Sequence, residues 1–265
     1  MFWVRLRSSV ILMLITISTI VLGGNLLFAT IMAISLIGLY ELYKTVQLER
    51  SLLGGIGYLG GILYELLILF KLEQYTLPLL FAVILVLLTA YVFTFPKYQT
   101  EHISMVFFGI FYVAVMLSFV YKVRILSDGA ILVWLIFIGA WGSDTSAYSV
   151  GMLIGKRKFL PKLSPKKSLE GCIGGVAGAA LLGFIYGTIF KNTLSSVANP
   201  GLEYALIGGA SSIISQIGDL AASAIKRDHN IKDYGSLIPG HGGILDRFDS
   251  IIFVAPMVYY LSELL

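Results

Sequence analysis

AVILVLLTAYVFTF, residues 82–95, decides the fold class. A strand of a membrane barrel alternates apolar and polar residues over about ten positions. This run alternates nowhere and is apolar on every face, the pattern of a helix immersed in lipid. Working outward, the stretch 76–95 that contains it has eight counterparts, at roughly 9–23, 26–43, 51–70, 102–121, 127–150, 171–190, 203–223 and 246–265. Most approach the ~20 residues that a helix needs to cross a bilayer. Composition agrees: 57% of the 265 residues are hydrophobic and 13% are charged, against about 25% charged in a soluble domain. The expected fold is all-α, a polytopic integral membrane protein of about nine transmembrane helices, residing in the cell (inner or plasma) membrane.

The start, MFWVRLRSSVILMLITISTIVLGGN, has the basic flank and apolar core of a secretory signal. No small-x-small cleavage site follows, so it reads as an uncleaved first helix. Basic residues orient the chain. With the N-terminus cytoplasmic, fifteen of the 19 Lys and Arg fall inside, among them Lys44, Arg50, Lys97, Lys162 and Lys232. Outside lie Lys71, Lys122, Arg124 and Lys191. The positive-inside rule thus places the N-terminus in the cytoplasm and the C-terminus outside. The net charge of +4 then records cytoplasmic loops facing an anionic leaflet and calls for no nucleic-acid partner.

Polarity divides the chain in two. Residues 1–125 form a scaffold of spans with short loops, with Glu41 and Glu65 as exceptions near a helix end or a helix contact. Residues 126–265 form the catalytic region, with cytoplasmic loops at 155–170 and 226–245 and acidic residues in or beside the spans. Glycine pairs such as Gly57 with Gly61, Gly174 with Gly178 and Gly183 with Gly187 have the small-xxx-small spacing of close helix packing, and they leave room for a homodimer. The single cysteine, Cys172, excludes an intrachain disulfide and reads as a small packing residue.

Asp144 lies roughly 16 Å along its helix from the basic loop and Asp219 roughly 10 Å inside its own, at 1.5 Å per residue. A charge at such depth costs around 2.5–3.5 kcal/mol. One isolated Asp would be a carboxylate neutralised by a neighbouring cation or protonated. Asp144, Asp219 and Asp246, however, sit on three helices flanking the two basic loops. Their convergence on one hard cation is the economical account, because Mg²⁺ takes one or two carboxylates and completes its shell with phosphate oxygens. Asp219, Ser223 and Lys226 fall at i, i+4 and i+7, and Asp246, Asp249 and Ser250 at i, i+3 and i+4, each set on one helix face.

The loops supply positive charge. In GKRKFLPKLSPKKSLEG, residues 155–171, the prolines stop a continuous helix. Lys156, Arg157 and Lys158 suit anionic lipid headgroups. Ser164 or Ser168 can cap the next helix, and Lys166 and Lys167 are candidates for phosphate contact. In LIPGHGGILDR, residues 237–247, Gly240, Gly242 and Gly243 let a backbone approach a ligand ahead of a helix N-terminus. His241 there is either a base or a loop-ordering hydrogen-bonding group.

These residues together resemble a known family. Ser223-Ala-Ile-Lys226-Arg227, Lys232-Asp233, Gly235, Ile238-Pro239-Gly240-His241-Gly242-Gly243-Ile244 and Asp246-Arg247-Phe248-Asp249 are similar to the signature of phosphatidate cytidylyltransferase, or CDP-diacylglycerol synthase. SDTSAY and SPKKSLEG resemble its two other short motifs, so the likeness covers roughly residues 140–250. Met152 departs from an Arg frequent in the family, and Ser168 from a Thr. The resemblance implies transfer of CMP from CTP to phosphatidic acid with Mg²⁺, giving CDP-diacylglycerol and pyrophosphate. On it, Asp219 and Asp246 are the main metal ligands, one cation or two, with Asp144 a third. Asp249 and Asp233 orient basic neighbours, so Asp249 belongs with the catalytic carboxylates. Lys166, Lys167, Lys226, Arg227, Lys232 and Arg247 hold phosphates with Ser223, His241, Gly242 and Gly243 beside them. The site faces the cytoplasm and opens to membrane lipids. The alternatives are an ion-coupled secondary transporter or another membrane lipid phosphotransferase. The first would show paired broken helices in two halves. The second would carry a carboxylate-rich D-G-x-x-A-R helix or kinase and P-loop motifs, which are absent.

Overall fold

Each apolar run becomes a helix. A computed structural model of the chain describes residues 2–161, 163–194, 198–240 and 242–265. Nine helices follow one another among them: α1 (Phe2–Leu22), α2 (Gly24–Lys44), α3 (Leu52–Leu69), α4 (Thr76–Thr94), α5 (Thr100–Arg124), α6 (Gly129–Ile154), α7 (Leu169–Ile189), α8 (Pro200–Asp228) and α9 (Leu245–Leu264). Seven of them, α2 to α8, are long and apolar enough to cross a membrane. α1 offers the shorter apolar stretch Arg7–Leu22. α9 has 20 residues, about 30 Å at the helical rise, but Asp246, Arg247 and Asp249 charge its first turns. α4, which holds the opening stretch, buries only Val83 and Leu87. Its apolarity on all faces thus answers to lipid rather than to a protein core. Lys162, counted above as cytoplasmic, and His241 lie outside the described residues.

The chain forms two compact units. One comprises Met1–Tyr121 with His229–Arg247, the other Lys122–Asp228 with Phe248–Leu265. The polar loop after α8 therefore belongs to the first unit.

In the first unit α3 lies against α2 and α5 through its glycines. A side chain at Gly57 would meet Tyr43 and Val106, and one at Gly61 would meet Leu39 and Ala114. Tyr43, fully buried, donates its hydroxyl to the Val106 carbonyl at 2.9 Å. One turn later α5 passes through a π-helical turn, Ile110–Val115, the kind of local widening that follows when a side chain competes for the helix ladder.

In the second unit α7 is the central helix, and its glycines are used on two sides. Gly174 and Gly178 admit Val150 and Ser146 of α6, while Gly183 and Gly187 admit the Tyr204 and Pro200 carbonyls of α8. This is the close packing expected from the spacing. It also consumes the glycine faces inside the units, so a homodimer would need another surface. Between α6 and α7 lies a short antiparallel hairpin, β1 (Lys158–Leu160) with β2 (Ser164–Ser168), pairing Lys158 with Ser168 and Leu160 with Ser164. Its strands are the only ones among the described residues. Glu170, in the first turn of α7, accepts the backbone N–H groups of Lys156 (3.1 Å) and Arg157 (3.2 Å) and so ties the hairpin's entry to the helix.

Candidate active site

The second unit contains a cavity of about 370 Å³ between α6, β2, α7 and α8, within the range of small-molecule sites. Asp144, Tyr148 and Met152 reach it from α6, Lys166, Lys167 and Ser168 from β2, Gly171 and Cys172 from α7, and Gln216 and Asp219 from α8. Local structure explains the aim of each. A π-helical turn, Ile138–Gly142, immediately precedes Ser143 and Asp144 and rotates the following helix face relative to an unbroken α-helix. Ser168 ends β2 and caps α7, its hydroxyl accepting the Gly171 N–H at 3.2 Å. Of the two serines able to cap this helix, Ser168 does so. The last strand residues before that cap are the two lysines of the SPKK motif, with Lys166 exposed and Lys167 half-buried.

The central charge pair is Lys167 with Asp219, Nζ to Oδ2 at 2.5 Å. The two side chains are 24% and 31% exposed, while the Lys167 Nζ itself is buried against the carboxylate. Asp144, Asp219 and Asp249, from α6, α8 and α9, lie within electrostatic reach of one another, as does Lys167 of Asp144 and Lys226 of Asp249. Asp249 Oδ1 accepts the Ser250 N–H at 2.7 Å. Deeper in the same unit, Gln216 Nε2 donates to the Cys172 carbonyl at 3.1 Å, and the Ser143 and Ser212 hydroxyls pair at 2.6 Å. A wall of polar side chains thus continues below the carboxylates.

The loop in the first unit is built from backbone amides. Asp246 is buried, and its Oδ2 accepts the N–H groups of Tyr234 and Gly243, both at 2.9 Å. Gly242 takes φ of +90°, a conformation that residues with a Cβ rarely adopt, and a Cβ there would also crowd Asp246. Its carbonyl accepts the Ile238 N–H at 2.9 Å. Lys232 and Arg247 are exposed. Ser223 and Lys226 are half-buried and Arg227 exposed in the last turns of α8. Gly243 gives its amide to Asp246, and the space a Cβ would take there is filled by the Glu41 carboxyl group.

Of the three carboxylates expected to converge on one cation, Asp144 and Asp219 line the cavity together with Lys166 and Lys167, whereas Asp246 is not among its lining residues and spends its Oδ2 on the Tyr234 and Gly243 amides. Sequence reasoning missed Tyr148, Cys172 and Gln216. The signal was available in part: Tyr148 and Met152 follow Asp144 at i+4 and i+8, Cys172 follows Ser168 at i+4, and Gln216 precedes Asp219 by three, all on shared helix faces. Cys172 therefore lines the cavity wall, beyond the plain packing role expected of it.

Does this donor set suit a hard divalent cation? Among the described residues no group of three or more His, Cys, Asp or Glu is gathered closely enough to hold a metal. Asp144 and Asp219 nonetheless give the cavity two carboxylates, beside the soft sulfurs of Met152 and Cys172. Two carboxylates with open positions for phosphate oxygens and water fit Mg²⁺, which seldom uses an all-protein cage.

Comparison with known proteins adds an independent line. The profile of the Cytidylyltransferase family matches residues 3–265. Phosphatidate cytidylyltransferase of Bacillus subtilis is 33% identical over 273 residues, spanning 98% of this chain and 97% of that protein. The Synechocystis protein of the same name is 32% identical over 98% of this chain and 96% of its own length. The Haemophilus influenzae one is 43% identical, over 50% of this chain and 46% of its own.

Proposed function

Because the chain belongs to the cytidylyltransferase family, we propose that it transfers CMP from CTP to phosphatidic acid, forming CDP-diacylglycerol and pyrophosphate within the membrane. The observation that carries this reading is the cavity in which Lys167 sits against Asp219 beside Asp144, cations and carboxylates together in a unit made of membrane helices. The transporter and the other phosphotransferases find no support in the fold or in the comparisons.

The chemistry needs no strong protein base. A phosphate monoester has a second pKa near ~6, so the lipid phosphate is largely dianionic at pH 7 and already nucleophilic. One of its oxygens bonds to the α-phosphorus of CTP as the bond to the β-phosphate oxygen breaks, and pyrophosphate leaves with that electron pair. The obstacle is the approach of two polyanions. Asp144 and Asp219 would hold Mg²⁺, whose charge, when bound, screens that repulsion and stabilises the leaving pyrophosphate. Lys167, now paired with Asp219, is the group free to turn to a phosphate oxygen once that carboxylate has another counter-charge. Lys166 lies beside it on the rim. For Asp246 as a further ligand, for Asp249 as its orienting companion, and for Ser223, Lys226, Arg227, Lys232, His241, Gly242, Gly243 and Arg247 as phosphate-side groups, the support is the sequence signature.

The positive-inside count supports a site facing the cytoplasm with the N-terminus on the same side. Thiols introduced at Lys156 and Lys191, beyond opposite ends of α7, should then label from the cytoplasm and from outside respectively. The deciding experiment is an assay of purified protein with each labelled nucleoside triphosphate, phosphatidic acid and Mg²⁺. Lipid-linked CMP with stoichiometric pyrophosphate, from CTP in preference to the others, is the expected result. A folded protein that releases neither overturns the assignment.

A further inference from the structure

We infer that Glu41, on α2 of the region read from sequence as scaffold, is a positioning residue of the reaction. It clamps the loop that presents Asp246 and so fixes that carboxylate at the head of α9. The inference rests on the catalytic role proposed for Asp246.

Glu41 is 4% exposed. Its Oε1 accepts the Ile244 N–H at 3.0 Å and its Oε2 the Leu245 N–H at 2.8 Å. Asp246 Oδ2 takes the neighbouring Gly243 N–H and that of Tyr234. Three consecutive amides, 243 to 245, are therefore divided between two carboxylates. The Asp246 rotamer is fixed by an amide whose successors are pinned by Glu41.

The glycines of the signature show how close this fit is. A Cβ on Gly235 or on Gly243 would run into the Glu41 carboxyl group, so the loop wraps it with no room for another side chain. A buried carboxylate in a span must find partners, and one lysine would serve that need. Here the partners are the backbone amides that flank Asp246, so the cost of burying Glu41 is offset only when the loop is in place. The coupling runs both ways: loop geometry satisfies Glu41, and Glu41 holds loop geometry. Misplacement of a reacting group by about 1 Å can cost on the order of 10²-fold in rate.

The test uses the full-length protein in detergent or lipid discs, with Glu41→Gln, Gly235→Ala and the double variant. Glutamine keeps one acceptor oxygen but sets an amide NH₂ against a backbone N–H, while alanine at 235 pushes on the same carboxyl group from the loop side. Each single variant should lower kcat on the order of 10²-fold with KM for CTP and for phosphatidic acid within about threefold. The double should be no worse than the weaker single, because both break one clamp. Amide hydrogen exchange should rise in peptides covering 233–247 and stay unchanged in α3 and α5. If Glu41→Gln does not accumulate, Gly235→Ala carries the rate and exchange measurements alone. Wild-type kcat in the folded variants, additive losses, or exchange that rises throughout the first unit would overturn the clamp. Should the wild-type protein make no CDP-diacylglycerol, the functional reading fails, while exchange in 233–247 still decides whether Glu41 holds the loop.

Discussion

The two units keep carboxylates inside a membrane protein by opposite means. In the second, Asp219 is balanced by a side-chain cation, Lys167, in a cavity open to solute. In the first, Glu41 and Asp246 are balanced by backbone amides in a closed loop. A flexible lysine can change partners when a substrate brings its own charges. Amides at a helix head move only if the backbone does. On the proposed mechanism the exchangeable charge is that of Lys167 and Asp219, while the loop's carboxylates are held in place by the main chain.

The sharpest way to break this contrast is to neutralise one carboxylate of each kind and compare activity with stability. Asp219→Asn should reduce turnover about 10³-fold, the scale of losing a preorganised electrostatic contact in a transition state. Its stability cost should be about 1–3 kcal/mol, because the side chains are partly exposed but the buried Lys167 Nζ loses its counter-charge. Adding Lys167→Met should return the melting temperature to that of the wild type without returning activity. Glu41→Ala should cost more in stability: it leaves two buried amides without acceptors, about 1–3 kcal/mol each. Thermal melts beside the transfer assay read both. An Asp219→Asn protein that turns over normally would remove Asp219 from the chemistry.

Cation withdrawal comes next in expected size. Chelation should stop turnover of the wild type, and saturating Mg²⁺ should raise its melting temperature by binding linkage, worth roughly 2.7 kcal/mol at a hundred times Kd. The increment should shrink in Asp144→Asn and Asp219→Asn, and in Glu41→Gln only as far as Asp246 contributes a ligand. Equal increments in all four proteins would place the cation elsewhere.

What the sequence made legible followed from chemistry that is local. Nine apolar runs became nine helices because a lipid-immersed backbone has to satisfy its own hydrogen bonds, so length and hydropathy suffice. Asp144 and Asp219 stood out because charge is rare within spans, and Lys167 because it lies in a basic loop ahead of a helix N-terminus. Glu41 stood out equally, yet its partners are main-chain amides more than two hundred residues away, and an amide carries no sequence signature. The same reason hid the clearance roles of Gly235 and Gly243, which look like a ligand-cradling loop and serve a carboxylate of the protein. The π-helical turn before Asp144 was also illegible, since it depends on how α6 meets its neighbours. The hairpin at 158–168 shows as little more than proline-interrupted polarity.

The smallest effect expected uses Cys172, the chain's single cysteine, as a reporter for the cavity. It is half-buried on the wall that carries Lys167 and Asp219, and its backbone carbonyl is held by Gln216. The thiol itself has no part in the proposed transfer, so Cys172→Ser should change kcat less than about threefold, the scale of a neutral site substitution. A small maleimide should nonetheless modify the wild-type protein slowly and inactivate it, since the adduct fills space that a substrate needs. CTP with Mg²⁺ should slow that modification several-fold, and ATP at the same concentration should slow it less. In the first unit the clamp is closely packed, with Gly235 and Gly243 set directly against the Glu41 carboxyl group. A thiol placed there instead, as Gly235→Cys, should cripple the enzyme before any reagent is added. If CTP leaves the alkylation rate of Cys172 unchanged while the enzyme is turning over, the nucleotide does not occupy this cavity. The assignment of exchangeable charge to Lys167 and Asp219 would then fall with it.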